Sequence, residues 1–384
     1  DGMFVFAIYD RQNQNLFIAR DRAGKKPFYY YSDGEKIVFA SELNALKSQL
    51  PLEMERNNMF HYLRFGSFYK SHTPYVHVKE LCAGSFMKID CNNLVVTQQK
   101  WWNINDYFIA ENKDGLDDAL QKTDQMLREA IKNRIASSDL EVGCFLSGGI
   151  DSGLVVSIAS EFVSKLKTLT ISFDGEYDEA PLAKKVADRY CTDHTEVKIS
   201  FNNLVNDVEG ILTAYGEPFF DSSAIPSYYV SKAAKEKVTV VLTGDGADEI
   251  FGGYKRYIPF KRYDFFNENG IVSGAASLLK NLLPASHQKK TAYNLFYRTL
   301  SLATQKKLQV YLSSGVDIFE DYQQYFLADE NEYLREMQLD FEQILDGRNT
   351  SDLAGYFFGE IYSPRVMFWS AGLLAIFNDG SGSI

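Results

Sequence analysis

Histidine and cysteine are scarce in this chain, five and four among 384 residues. None of Cys82, Cys91, Cys144 and Cys191 forms a Cys-x-x-Cys pair. Cys191 and His194 make a lone Cys-x-x-His, with no second pair to complete a tetrahedral zinc site. The thiols are therefore expected to be reduced, as in a cytoplasmic protein. His61, His72 and His77 fall in a connecting stretch and are read as surface or hydrogen-bonded side chains rather than metal ligands. Long apolar runs are missing as well. The strongest candidate, 366–377, is too short to span a bilayer and carries Ser370 and Gly372, so no membrane partner is expected. Basic residues are in deficit, 40 Lys and Arg against 51 Asp and Glu for a net charge of −11. That argues against nucleic acid as a partner. It leaves room for a phosphate ligand held by a few backbone amides and a metal. No internal repeat or low-complexity segment is visible.

The residues that are present describe a soluble globular chain, 45% hydrophobic and 24% charged, long enough for two or three domains. Short apolar and aromatic runs crowd the first hundred residues. Those at 5–9 and 16–19 flank polar residues 11–15, and those at 28–31 and 37–40 flank Ser32-Asp33-Gly34, a hairpin-turn composition. Ser41-Glu42 then opens a short helix with Leu43 and Leu46 at helical spacing. With no long helix between these runs, an antiparallel sheet is expected. A connecting region follows, with short strands at 85–89 and 94–97, and Trp101-Trp102 is expected to pack it onto a domain.

The character changes at Asp114. Leu116, Leu120, Leu127, Ile131 and Ile135 mark one face of a helix. Strands at 142–146, 169–173, 196–199 and 238–242 then alternate with helices at 153–163, 180–190, 204–214 and 225–236. This alternation predicts a doubly wound parallel sheet. From Tyr257 onward the pattern is mainly helical, with aromatic faces that read as packing surfaces.

Two loops carry chemistry. Leu146-Ser147-Gly148-Gly149-Ile150-Asp151-Ser152 joins a buried strand to a helix. Two glycines clear side chains from a ligand's path, two hydroxyls add donors, and the helix start presents free amides to an anion. Asp151 would repel a bare phosphate, so its presence points to bridging Mg²⁺. No Gly-Lys-Ser/Thr follows, which rules out a Walker A loop. The second loop, Thr243-Gly244-Asp245-Gly246-Ala247-Asp248-Glu249, leaves the strand at 238–242 and runs into Ile250-Phe251-Gly252-Gly253-Tyr254. Its three carboxylates and two glycines suit a hard-oxygen metal and substrate site. A tight turn and a solvated acidic turn are the plainer readings of the two loops. Their shared position, at strand ends of one sheet, favours the functional ones.

The first loop resembles the SGGxDS signature of the PP-loop ATP pyrophosphatases, and the second narrows the resemblance to glutamine-dependent asparagine synthetases. Gly2-Met3-Phe4-Val5-Phe6-Ala7-Ile8-Tyr9-Asp10, Ala19-Arg20-Asp21-Arg22, Gly24 with Pro27-Phe28-Tyr29, and Phe39-Ala40-Ser41-Glu42 resemble the back half of that family's glutaminase domain. Tyr177-Asp178-Glu179-Ala180 and the stretch from Glu217-Pro218-Phe219 to Asp221-Ser222-Ser223-Ala224-Ile225-Pro226 also fit. The resemblance implies an incomplete α+β part at 1–100, with the antiparallel sheet of an N-terminal-nucleophile glutaminase-like domain. It further implies an α/β PP-loop synthetase domain at 114–345 with a mostly helical C-terminal part.

By the same resemblance, Leu146, Ser147, Gly148, Gly149, Asp151, Ser152, Ser172, Thr243 and Gly244 would bind ATP. Leu146, Ser172, Thr243 and Gly244 would do so on the adenine side, through backbone groups. Asp151 and Asp248 would share Mg²⁺, and Asp245 would serve acyl-adenylate formation. Asp221, Ser222 and Glu249 are candidates for the acceptor pocket. The implied reaction adenylates aspartate and amidates it with ammonia drawn from glutamine. A homodimer is one option for its assembly.

Two departures stand out. The family's N-terminal catalytic cysteine has no counterpart before Cys82, so glutamine hydrolysis by this polypeptide is not expected. The family's Lys-x-Asp-x-x-Ser-Met helix and nearby lysine have no counterpart in 362–384, and 346–384 reads as an atypical, frameshifted tail. Both ends thus suggest a fragment, expected to bind nucleotide with little amide formation. The alternatives are a ligase acting on another acid, such as a surface-sugar or peptide group, a PP-loop enzyme adenylating a nucleotide or thiolation substrate, and a non-catalytic nucleotide-binding remnant.

Overall fold

The computed structural model describes residues 2–103, 106, 114–175, 178–199, 201–220, 223–251, 253, 270–284, 291–305 and 335–339. The expected tail at 346–384 lies outside these residues. The chain divides into two compact bodies, one built on 1–52 and 77–246, the other on 53–76 and the described part of 247–364.

The first body opens with two antiparallel sheets. Strands β1 (Val5–Asp10), β2 (Asn15–Arg20), β6 (Ser85–Asp90) and β7 (Val96–Lys100) form one, in the order β1-β2-β6-β7. Strands β3 (Tyr29–Ser32), β4 (Ile37–Ala40) and β5 (Val78–Glu80) form the other, in the order β4-β3-β5. Asp10 makes the first hairpin by accepting from the amides of Gln12 and Asn13 at 2.9 and 3.1 Å. Asp33 makes the second by accepting from those of Glu35 and Lys36, both at 2.9 Å. Along β6, buried Ser85, Met87 and Ile89 alternate with more exposed Phe86, Lys88 and Asp90. Ile18, Phe28, Tyr30, Leu81, Met87 and Ile89 form the core shared by the two sheets. Helix α1 (Leu43–Gln49) buries Leu43 and Leu46, the pair expected from spacing.

The Ala19-Arg20-Asp21-Arg22 motif is structural. Arg20 is buried, pairs with Glu80 at 2.7 Å, and donates to the carbonyls of Lys26, Gly24 and Leu81. Buried Asp21 accepts from the amides of Phe4, Ala23, Lys25 and Lys26 and so shapes the following loop. Trp101 donates to the carbonyl of Arg20 at 3.1 Å and stacks on Phe4, which fixes the connecting region to the first sheet.

Helix α3 (Leu116–Ala136) leads into the parallel sheet of β8 (Val142–Phe145), β9 (Lys167–Ser172), β10 (Asp193–Lys198) and β11 (Val240–Leu242), in the order β10-β9-β8-β11. Helices cover both faces. Val142, Cys144 and Leu146 pack with Ile131 of α3, with Val156 and Ala159 of α4 (Ile150–Ala159), and with Ala183 and Ala187 of α5 (Ala180–Arg189). Phe145 points the other way, into the cluster of Leu169 with Val230 and Ala234 of α7 (Ala224–Lys235). Helix α6 (Phe201–Ala214) joins that side through Ile211.

Two expected boundaries shift for physical reasons. Helix α4 starts at Ile150, not 153, so Asp151 and Ser152 belong to its first turn. Strand β7 starts at Val96, not 94, because Leu94 has φ 57° and closes a turn by donating to Asp90. Helix α2 (Met59–Phe65) and β5 were not foreseen, the helix being a single short segment and the strand only three residues.

In the second body, α2 ends at Gly66 in the left-handed conformation, and Phe60 of α2 and Phe68 just beyond it are buried. His61 is buried and stacks on His72, whose Nε2 lies 2.8 Å from Glu336. Helices α8 (Ala247–Phe251), α9 (Gly270–Leu282) and α10 (Ala292–Ala303) follow, and Thr291 caps α10 by accepting from the amide of Asn294 at 3.1 Å. The described C-terminal residues are thus mainly helical.

Candidate nucleotide-binding site

Strand order positions the site. From β8 the chain adds β9 and β10 on one side, then crosses to place β11 on the other. The loops leaving the carboxyl ends of β8 and β11 therefore flank the reversal point of the sheet, where parallel α/β folds bind ligands. Gly244 brings the two loops into contact. A Cβ there would fall 2.7 Å from the Ser152 amide nitrogen and 3.0 Å from the Asp151 carbonyl carbon. Glycine is the residue this approach admits.

The first loop is held by its own hydroxyls. Ser152, buried, places Oγ 2.8 Å from Ser147 Oγ and accepts from the Ser147 amide at 3.1 Å. Ser147 Oγ in turn accepts from the Gly149 amide at 3.2 Å. Gly149 precedes α4 as its N-cap and supplies no side-chain cap, and a helix start favours an anion. The backbone of Leu146 is largely committed. Its amide donates to Leu169 and its carbonyl accepts from Thr170 Oγ1. Only the remaining lone pair of that carbonyl is open to a base. Buried Ser172 likewise accepts from the Ile199 amide at 2.9 Å.

Two carboxylates that the sequence marks only as part of a matching segment prove to line this site. Asp178 accepts from Ser172 Oγ at 3.4 Å and from the Ala180 amide at 3.1 Å. Glu179 accepts from the Gly148 amide at 3.0 Å. A Cβ on Gly148 would lie 3.0 Å from the Cβ atoms of Glu179 and Leu182, so the start of α5 packs directly on the loop. Their position just past the carboxyl end of β9 is the signal that could have singled them out.

In the second loop Thr243 Oγ1 accepts from the Asp245 amide at 3.4 Å, and Asp245 is exposed. Lys25, in the loop between β2 and β3, also feels this region. Burial and the charge of Arg134 lower its pKa, against the opposing pull of Asp245 and Asp21. Asp248 lies in α8 of the second body, where a Cβ on Gly253 would overlap its Oδ1. Gly253 thus leaves room for the carboxylate. Asp221 and Ser222 are outside the described residues, as is the side chain of Glu249. Among the described residues no group of three or more His, Cys, Asp or Glu forms a metal centre, and no helix is long and apolar enough to cross a membrane.

Residues 122–351 match the asparagine synthase family and residues 1–102 a glutamine amidotransferase domain. A Methanocaldococcus jannaschii protein named as a glutamine-hydrolyzing asparagine synthetase is 35% identical over 274 residues, covering 70% of this chain and 52% of the relative. Asparagine synthetase [glutamine-hydrolyzing] 1 of Bacillus subtilis is 34% identical over 261 residues, covering 67% and 40%. The chain thus spans about half or less of the length of these relatives. Among solved structures, the glutamine-dependent NAD+ synthetase of Acinetobacter baumannii in complex with ADP aligns over 87% of this chain and 79% of its own. Its identity is 12% and its TM-score 0.28.

Proposed function

Since the chain belongs to the asparagine synthase family, we propose that it carries the ATP-dependent amide-forming site of a ligase that converts aspartate to asparagine. In this reaction a carboxylate oxygen attacks the α-phosphorus of ATP and pyrophosphate leaves. Ammonia then attacks the acyl carbon, and AMP departs with that oxygen as a proton is released. A carboxylate is a poor electrophile until AMP becomes its leaving group, and ammonia must stay unprotonated to attack. In the whole ligase the ammonia comes from glutamine.

The observation that carries this reading is the approach of Gly244 to Ser152, which joins the two loops at the reversal point of the sheet. The donor set suits an anion: two serine hydroxyls, the start of α4, and the Gly148 amide once Glu179 yields it. In this reading Ser147, Gly148, Gly149 and Ser152 hold the phosphates. Leu146, Ser172, Thr243 and Gly244 border the adenosine. Asp151 and Asp248 hold Mg²⁺, a hard cation that neutralises pyrophosphate. Asp245 assists adenylation, and Asp221, Ser222 and Glu249 border the acceptor acid.

Titration calorimetry with MgATP, followed by pyrophosphate–ATP exchange across a panel of carboxylic acids, tests the proposal. Nucleotide binding and aspartate-dependent exchange are expected. Exchange driven only by a different acid would reassign the acceptor, and failure to bind nucleotide would refute the site.

A further inference from the structure

We propose that Glu179 sets the polyphosphate affinity of the 147–152 loop, because its carboxylate and a ligand phosphate claim the same donor, the Gly148 amide. This inference rests on reading the loop as a phosphate site.

An amide has one hydrogen, and Gly148 donates it to Glu179 Oε2 at 3.0 Å. The neighbouring loop amides are treated differently. That of Ser147 donates to Ser152 Oγ and that of Gly149 to Ser147 Oγ, both neutral hydroxyls of the loop itself. Of these three amides, Gly148 alone meets an anion. The acceptor comes from another element, the residue preceding α5, held in place because Gly148 abuts the Cβ atoms of Glu179 and Leu182. Asp178 braces that approach by accepting from the Ala180 amide. Glu179 is exposed, so its carboxylate has solvent to move into when a phosphate takes the amide. A carboxylate on a backbone amide makes the charge-assisted bond that a phosphate oxygen would make, and two anions cannot share the position without repulsion.

The alternative is that Glu179 braces the loop in its binding shape, and the two roles predict opposite signs. Calorimetric titration of inorganic pyrophosphate with Mg²⁺ into the full chain, its Glu179→Gln and Glu179→Ala variants, and Ser152→Ala separates them. Tighter binding by both Glu179 variants, roughly two- to tenfold, with weaker binding by Ser152→Ala, is the expected result. A variant damaged in folding loses affinity and cannot gain it, so tightening is not a general structural effect. Unchanged or weaker binding by the Glu179 variants, with Ser152→Ala still impaired, overturns the competition and leaves the phosphate site standing. If no form binds pyrophosphate, the site reading fails and the proposal with it.

Discussion

The hydroxyl oxygens of Ser147 and Ser152 lie 2.8 Å apart across the turn between β8 and α4. Ser152 Oγ also receives the Ser147 amide and lies 3.3 Å from the carbonyls of Ser147 and Gly149. Ser152→Ala leaves a loop amide without its partner. We expect a loss of about 1–2 kcal/mol in urea unfolding and MgATP binding weakened roughly tenfold, read by calorimetry. Unchanged affinity would mean that the hydroxyl pair does not shape the ligand surface.

Gly244→Ala tests loop adjacency. Its Cβ would press on backbone atoms of Asp151 and Ser152, which cannot rotate away as a side chain can. Nucleotide binding should be lost while far-ultraviolet circular dichroism stays near wild type. An Ala variant binding MgATP as tightly as the parent would contradict the contact.

The Arg20–Glu80 ion pair is buried on both sides. Glu80→Ala leaves a buried guanidinium short of its counter-charge, expected to cost about 3–5 kcal/mol. Urea unfolding followed by tryptophan fluorescence is suited to reading it, since Trp101 bonds to the Arg20 carbonyl. A loss under 1 kcal/mol, on the order of a surface pair, would show that the pair is solvated.

Burial pushes the Cys144 thiol up to about 12. Cys91 and Cys191 are exposed. Iodoacetamide should label the latter two in native protein and reach Cys144 only after unfolding, as peptide mass mapping would show. The unfolded thiol ionises near its ordinary value while the folded one stays protonated. The contribution of Cys144 is therefore complete below about pH 9 and falls as pH rises toward 12. Cys144→Ala should flatten that part of the stability curve.

Elements with a strong local period were legible in advance. β6 alternates along its whole length, α1 buries the two leucines that its spacing singles out, and the strand–helix alternation after Asp114 gives the parallel sheet. What escaped was short or set by single residues. Strand β5 exists because β3 offers it partners, and the start of β7 waits on the left-handed Leu94. The start of α4 was missed because three loop residues, Ile150, Asp151 and Ser152, supply its first turn.

By itself the sequence determined the chemistry of two loops, their places at strand ends, and the membership of Arg20 and Asp21 in a motif, since residue type and period are local properties. Only the tertiary structure decided that the loops meet, that Arg20 and Asp21 build a buried scaffold, and that Glu179 takes the Gly148 amide. The reason lies in strand order. Placing β11 beside β8 brings Gly244 against Ser152, and packing α5 on the β8–α4 loop brings Glu179 to Gly148. Those adjacencies arise from how buried apolar faces are shared among distant segments, which no local period records.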